Sequence, residues 1–301
     1  MRFRRRLLGG EGQLNPSDDL RAYGREIARR SWPWLEDFVS EVLLQRSSAD
    51  PVRLLRALGE MMGIITAFAS SSEAAILGMR SALINWAEDL DWEALVLQDR
   101  SYVVALGTVI EFLDACNRSS VGLRRVMKRA LQVSNLDAHV TKPYRRLELD
   151  VLLWRIGERP SDAGRLSLLL ESAWGELDKP LSAYSVRDRY ALSHLVFYLC
   201  LAPHHLDQTF VSRERLKILR ESVRGSLLMA LIERNSDLAA EFEICSFLLC
   251  QCNESLFRIG FGHHQPSLNR RVRTEALFDD YHPILMWTLA ATLHADGHLV
   301  R

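Results

Sequence analysis

Apolar residues recur along almost the whole chain at intervals of three and four, and no stretch alternates convincingly at two. At about 3.6 residues per turn that spacing marks one buried face of an α-helix. The cleanest stripe is Phe242, Cys245, Leu249, Cys252 and Leu256. Polar punctuation divides the pattern into elements. Ser17-Asp18-Asp19 offers a cap to a helix running to about residue 45, which Pro33, between Trp32 and Trp34, is expected to end or kink. Asp50-Pro51 opens the next with a cap and a first-turn proline, and Ser70-Ser71-Ser72 is placed to cap another running to about residue 90. Residues 100–117 and 121–133 follow. After a break rich in Asn135, Asp137, Thr141 and Pro143, helices are expected over 145–156, 161–177, 185–201, 212–233, 236–259 and 281–295. The stretch 260–280 reads as a long connection, of the length that usually carries function.

Helices joined by short connections pack as antiparallel neighbours. The expected fold is therefore all-α, built of antiparallel helical hairpins and arranged as an α/α-toroid-like ring or an irregular helical bundle. No self-similar motif repeats at a period of about 33–47 residues, which weighs against a stacked repeat array. The breaks suggest a basic flexible arm over 1–16, an N-terminal helical region over 17–133, a hinge over 134–144, and a C-terminal helical region over 145–301.

Composition excludes more than it assigns. The 301 residues carry 38 basic and 38 acidic side chains, so bulk charge gives no case for nucleic acid or an anionic membrane as partner. Only Lys128, Lys142, Lys179 and Lys217 among the basic residues are lysines. The remaining arginines reflect a coding bias or, at some positions, fork-shaped anion binding. Five cysteines, an odd number set within apolar runs, suit reduced thiols in a cytoplasm. The apolar part of the N-terminus is Leu7-Leu8, too short for a leader h-region or a membrane span.

Chemistry has three candidate centres. On the helix over 185–201, Tyr190, His194, Phe197 and Leu201 share one face. A sheltered imidazole there needs a hydrogen-bond partner, since an unpaired one costs about 1–3 kcal/mol. Asp188 and Tyr190 accompany His194. Around Asp280-Tyr281-His282-Pro283, the helix N-terminus is expected to keep His282 neutral near pH 7, with Asp279 or Asp280 as cap. In Lys142-Pro143-Tyr144-Arg145-Arg146-Leu147-Glu148, Arg145 and Arg146 stand at a helix start, where an anion or carboxylate would offset the dipole. Each centre also has a structural explanation as a satisfied core histidine, a cap or a solvated pair. Glu241 flanks the 242–256 stripe as the acidic candidate on that helix. No metal site is expected: Cys250 and Cys252 point about 200° apart on a helix, and no His-Glu-x-x-His, Gly-rich phosphate loop or Asp-rich motif is present.

Pro143-Tyr-Arg-Arg-Leu-Glu148, Asp188-Arg-Tyr-Ala-Leu-Ser-His-Leu-Val-Phe-Tyr198 and Asp280-Tyr-His282 together resemble an uncharacterised all-helical bacterial family associated with natural-product gene clusters. The resemblance spans roughly 140–300 and implies a context without a mechanism. The resulting expectation is an enzyme of specialised metabolism acting on a small polar or anionic intermediate. It would work without a cofactor, by acid/base elimination, cyclisation or group transfer. His194, His282, Asp280 and Tyr190 would be catalytic, and Arg145, Arg146, Glu148, Asp188, Glu241 and Tyr281 would bind substrate. The alternative is a non-catalytic helical scaffold or partner subunit, in a homo- or hetero-oligomer.

Overall fold

A computed structural model describes residues 17–45, 50–67, 73–99, 102–133, 140, 142–160, 162–201, 212–249, 251, 253–268, 278 and 281–296. The described residues are mostly helical, joined by short turns, with no strand. In chain order the helices are α1 (Asp18–Leu44), α2 (Pro51–Ala67), α3 (Ala74–Asp89), α4 (Trp92–Gln98), α5 (Tyr102–Ala115), α6 (Val121–Val133) and α7 (Pro143–Arg155). They continue as α8 (Ala163–Gly175), α9 (Val186–Leu201), α10 (Arg213–Ile232), α11 (Ser236–Leu248), α12 (Glu254–Leu268) and α13 (Tyr281–Asp296), with one 3₁₀ turn at Leu181–Ala183.

Packing arranges them as two concentric rings. In the inner ring α2 packs on α5, α5 on α7, α7 on α9, α9 on α11, α11 on α13, and α13 returns to α2. Each outer helix lies on the inner helix that precedes it: α3 on α2, α6 on α5, α8 on α7, α10 on α9 and α12 on α11. The series closes with α1 on α13. The short α4 packs on α5 and α6. The toroid-like arrangement is thus the one the chain adopts.

The closure has a local cause. A Cβ on Gly24 would lie 2.7 Å from the Ala291 carbonyl oxygen, so only glycine lets α1 and α13 approach this closely. Along these two helices Trp32, Leu35, Phe38, Ile284, Leu285, Trp287, Ala290 and Leu293 are fully buried.

Several boundaries differ from those the sequence suggests. α1 runs unbroken past Pro33, whose ring faces solvent where helices bend most readily. Its neighbours Trp32, Leu35 and Phe38 are buried deeply enough to offset a local cost of about 3 kcal/mol. The expected long connection after Gly260 is instead the second half of α12 as far as Leu268. α4, capped by Asp91, is an element the spacing did not signal. α3 starts after Glu73, which makes no side-chain cap bond, in place of the serine cap expected. α7 begins at Pro143, within the expected hinge. The basic arm over 1–16 lies outside the described residues, as does most of 134–144. Cys116, Cys200 and Cys245 form no disulfide, Cys245 being buried and the others partly so, while Cys250 and Cys252 lie outside the described residues. Among the described residues, no helix is long and apolar enough to cross a membrane.

Candidate functional site

The starts of α7, α11 and α13, together with the middle of α2 and the first half and middle of α9, bring their polar side chains to one region of the inner ring. α11 is aimed there by a tight turn: Arg234 adopts φ 55°, and the Asn235 side chain caps the helix by accepting from Leu238 N at 3.1 Å. Asp237 and Glu241 follow one turn apart on one face. Tyr281 and His282 open α13, with Pro283 in its first turn.

Asp237 is the junction. It accepts a hydrogen bond from the Tyr190 hydroxyl and pairs with His282 Nδ1. Glu241, with its side chain 3% exposed, accepts from the Ser193 hydroxyl. Its other oxygen, Oε1, stands 4.0 Å from His282 Nε2. Glu60 of α2 binds Arg56 at 2.9 Å, accepts from the Tyr281 hydroxyl at 2.5 Å and lies 3.8 Å from His282 Nε2. One ligand atom from each of Asp237, Glu241 and His282 lies within 4.8 Å of the other two.

The electrostatics overturn one expectation. Burial and the helix terminus would hold His282 neutral, and burial does push it down. The Asp237 hydrogen bond and the charges of Glu60, Asp237 and Glu241 outweigh that and raise it to about 9. Burial raises Glu241 to about 7, against the bond from Ser193 and the charge of His282. Burial would also raise Asp237, but His282 and Tyr190 hold it below the usual carboxylate range. Desolvation, strengthened by Asp237 and Glu241, pushes the Tyr190 hydroxyl far up.

His194 occupies the neighbouring part of the same region. Its Nδ1 lies 3.3 Å from the Tyr198 hydroxyl, and the rings of Tyr144 and Phe197 stand 5.7 Å and 6.0 Å away. The ring keeps part of its surface accessible while protein surrounds it, as a side chain lining a recess does. That surround lowers it to about 4, with Glu148 pulling up and Arg145 and His282 pushing down. Arg145 pairs with Glu148 at 2.6 Å and covers the Tyr144 ring. His194 and His282 therefore sit close enough to sense one another's charge, without a direct bond.

Other candidates have separate duties. Asp188 closes a reciprocal cap with Ser185, taking bonds of 2.7 Å from its backbone N–H and its hydroxyl, and pairs with Lys179 at 2.9 Å. Arg146 donates to the Val140 carbonyl at 2.6 Å, tying down the chain that enters α7. Asp280 lies outside the described residues. Three central residues escaped the sequence reading: Asp237, Glu60 and Ser193. Asp237 was legible as an acid four residues before Glu241 on a largely apolar helix. Nothing in the spacing ties Glu60 to the rest.

No curated protein and no solved structure matches the chain. A family model does match, over residues 28–262. It takes in the N-terminal half, beyond the span of the resemblance noted above, and stops before α13; nothing in it links the chain to natural-product genes. On that match the chain belongs to the family described as Domain of unknown function (DUF6895).

Proposed function

We propose that the protein is an enzyme that binds a small polar or anionic molecule in this region of the inner ring and transforms it by proton transfer. The observation that carries the reading is convergence: five of the inner helices send carboxylate, imidazole, guanidinium and phenol groups to one place. A ring held together by apolar packing has no structural need for them there, and sheltering them costs free energy. His194, neutral and partly accessible, is the proton acceptor of the set. Asp237, Glu241 and His282 form the charged centre that polarises and orients the bound molecule, and Arg145 holds an anionic group. Elimination, cyclisation and group transfer all suit this inventory.

The test is a saturation-transfer NMR screen of small carboxylates, phosphate esters and polyols against the wild-type protein, His194→Gln and Arg145→Gln. Binders are expected that are lost or weakened at least about tenfold in both variants while the melting temperature stays within a few degrees. A screen without binders, or binders indifferent to both substitutions, would sink the proposal.

A further inference from the structure

We propose that His282 Nε2 and Glu241, with Glu60 at their edge and Asp237 orienting the imidazole from behind, hold one divalent transition-metal ion, Zn²⁺ or Mn²⁺. This rests on the reading of that region of the ring as the functional site, and adds the group that gives the charged centre its polarising power.

The geometry has two parts. Asp237 grips Nδ1 of His282 and fixes the ring so that Nε2 faces inward, the carboxylate–imidazole arrangement that orients metal-binding histidines. Nε2 then looks at Glu60 Oε2 across 3.8 Å and at Glu241 Oε1 across 4.0 Å. Both separations exceed a hydrogen bond. They match two ligands on a common ion, which at metal–ligand lengths of about 2.0–2.2 Å stand roughly 3–4 Å apart. Ser193 engages the other oxygen of Glu241, Oε2, in a side chain that is only 3% exposed. A carboxylate oxygen aimed at an imidazole nitrogen it cannot bond directly stands where a second ligand of a shared ion would stand.

Charge points the same way. Glu60, Asp237 and Glu241 surround one imidazole, and the Arg56 guanidinium, paired with Glu60, lies largely exposed to water. With His282 neutral, as a metal-bound imidazole is, one divalent cation balances the set. The donors decide its class. One imidazole with two carboxylates suits a borderline ion more than Mg²⁺ or Ca²⁺, which favour all-oxygen shells. Residues 60, 237, 241 and 282 come from three helices, so local spacing shows the Asp237–Glu241 pair and not the set.

The experiment titrates chelator-stripped full-length protein with Zn²⁺, Mn²⁺ and Mg²⁺ by calorimetry. One saturable site is expected, tightest for Zn²⁺, weaker for Mn²⁺ and weakest for Mg²⁺. Glu241→Gln and His282→Gln should weaken Zn²⁺ at least about 100-fold, and Asp237→Asn about 10- to 100-fold. Should a variant fail to fold, the wild type still answers: substoichiometric Mn²⁺ should broaden the His282 imidazole signals before those of any other histidine. No saturable Zn²⁺ or Mn²⁺ binding, unchanged binding in all three variants, or earlier broadening at another histidine overturns the site; a bridging water would give the first result. Repeating the ligand screen on the stripped protein separates the two proposals. A silent titration with binders still dependent on His194 removes the ion alone, whereas ion binding with no binder in either form supports the ion and removes the enzyme reading.

Discussion

Protonating His194 should cost the folded protein stability, and the cost can be read as a pH-dependent difference between the wild type and His194→Gln. The imidazole titrates at about 4 when folded, against 6.5 for the free side chain. The folded value is the lower one, so between these limits the unfolded chain takes up a proton that the folded chain refuses. Stability due to this group is therefore complete above 6.5 and falls as pH drops toward 4. Between about pH 7.5 and about pH 4.5 the full loss would be about 2.5 kcal/mol. The ring keeps part of its surface accessible, so about 1–2 kcal/mol is the expected figure. Glu241 works against this in the wild type: raised to about 7, it loses stability as pH climbs from 4.5. The comparison with His194→Gln cancels that opposing slope, because both proteins contain Glu241. Urea unfolding of chelator-stripped protein at several pH values supplies the numbers. If the difference between wild type and variant stays constant within about 0.5 kcal/mol across the range, the neutral, desolvated imidazole is wrong, and with it the proton acceptor.

Other substitutions probe the frame around the site. Tyr190→Phe removes a donor from the Asp237 carboxylate and should destabilise by about 1–2 kcal/mol in urea unfolding. Asp150→Asn should cost about 1–3 kcal/mol in urea unfolding, because the 3% exposed carboxylate joins the partly exposed Arg159 and Arg165 and loses its charge-assisted bonds to both. Gly24→Ala should lower stability by about 2–3 kcal/mol through the contact with the Ala291 carbonyl, measured by thermal melting. Asp188→Ala should lose a cap worth about 1 kcal/mol and leave small-molecule binding unchanged, which would separate it from the site.

The fold was legible because helical period is a local property. Each buried face, such as Leu20, Ile27, Trp32, Leu35, Phe38 and Val42 on α1, repeats within a few residues of itself. Pro33 misled because the penalty is local while its compensation, the burial of Trp32, Leu35 and Phe38, is tertiary. The stretch after Gly260 misled because Gly260 and Gly262 weaken helix propensity, yet Gly260 is where Trp287 of α13 comes closest: a Cβ there would lie 2.5 Å from that ring. The site was legible only in pieces. Tyr190, His194, Glu241, Tyr281 and His282 each stood out as polar side chains on or beside apolar faces. Their grouping was hidden, because ring closure brings residue 60 to residue 282 and local spacing carries no such information. The protonation of His282 went wrong for the same reason: the dipole of its own helix was visible, whereas Glu60, Asp237 and Glu241 were not.

Ring closure also ties the last helix to the stability of the whole. The family match ends at residue 262, before α13, yet α13 packs on both inner neighbours and carries Tyr281 and His282. A chain ended at 262 would lose the fully buried Ile284, Leu285, Trp287 and Leu293, and would uncover their partners on α1 and α11. At about 1.5–3 kcal/mol for each large apolar side chain, those four alone come to roughly 6–12 kcal/mol, an upper figure given a compact unfolded state. That is as large as the whole stability of an ordinary domain, about 5–15 kcal/mol. The shortened chain should therefore keep much of its helical circular dichroism, which is local, and lose its single cooperative urea transition, which depends on the closed ring. A sharp transition with an m-value reduced only in proportion to chain length would show that the first eleven helices and the start of α12 form an independent unit. The ring would then be a scaffold onto which α13 docks, and Asp237, Glu241 and His282 would meet only once it had.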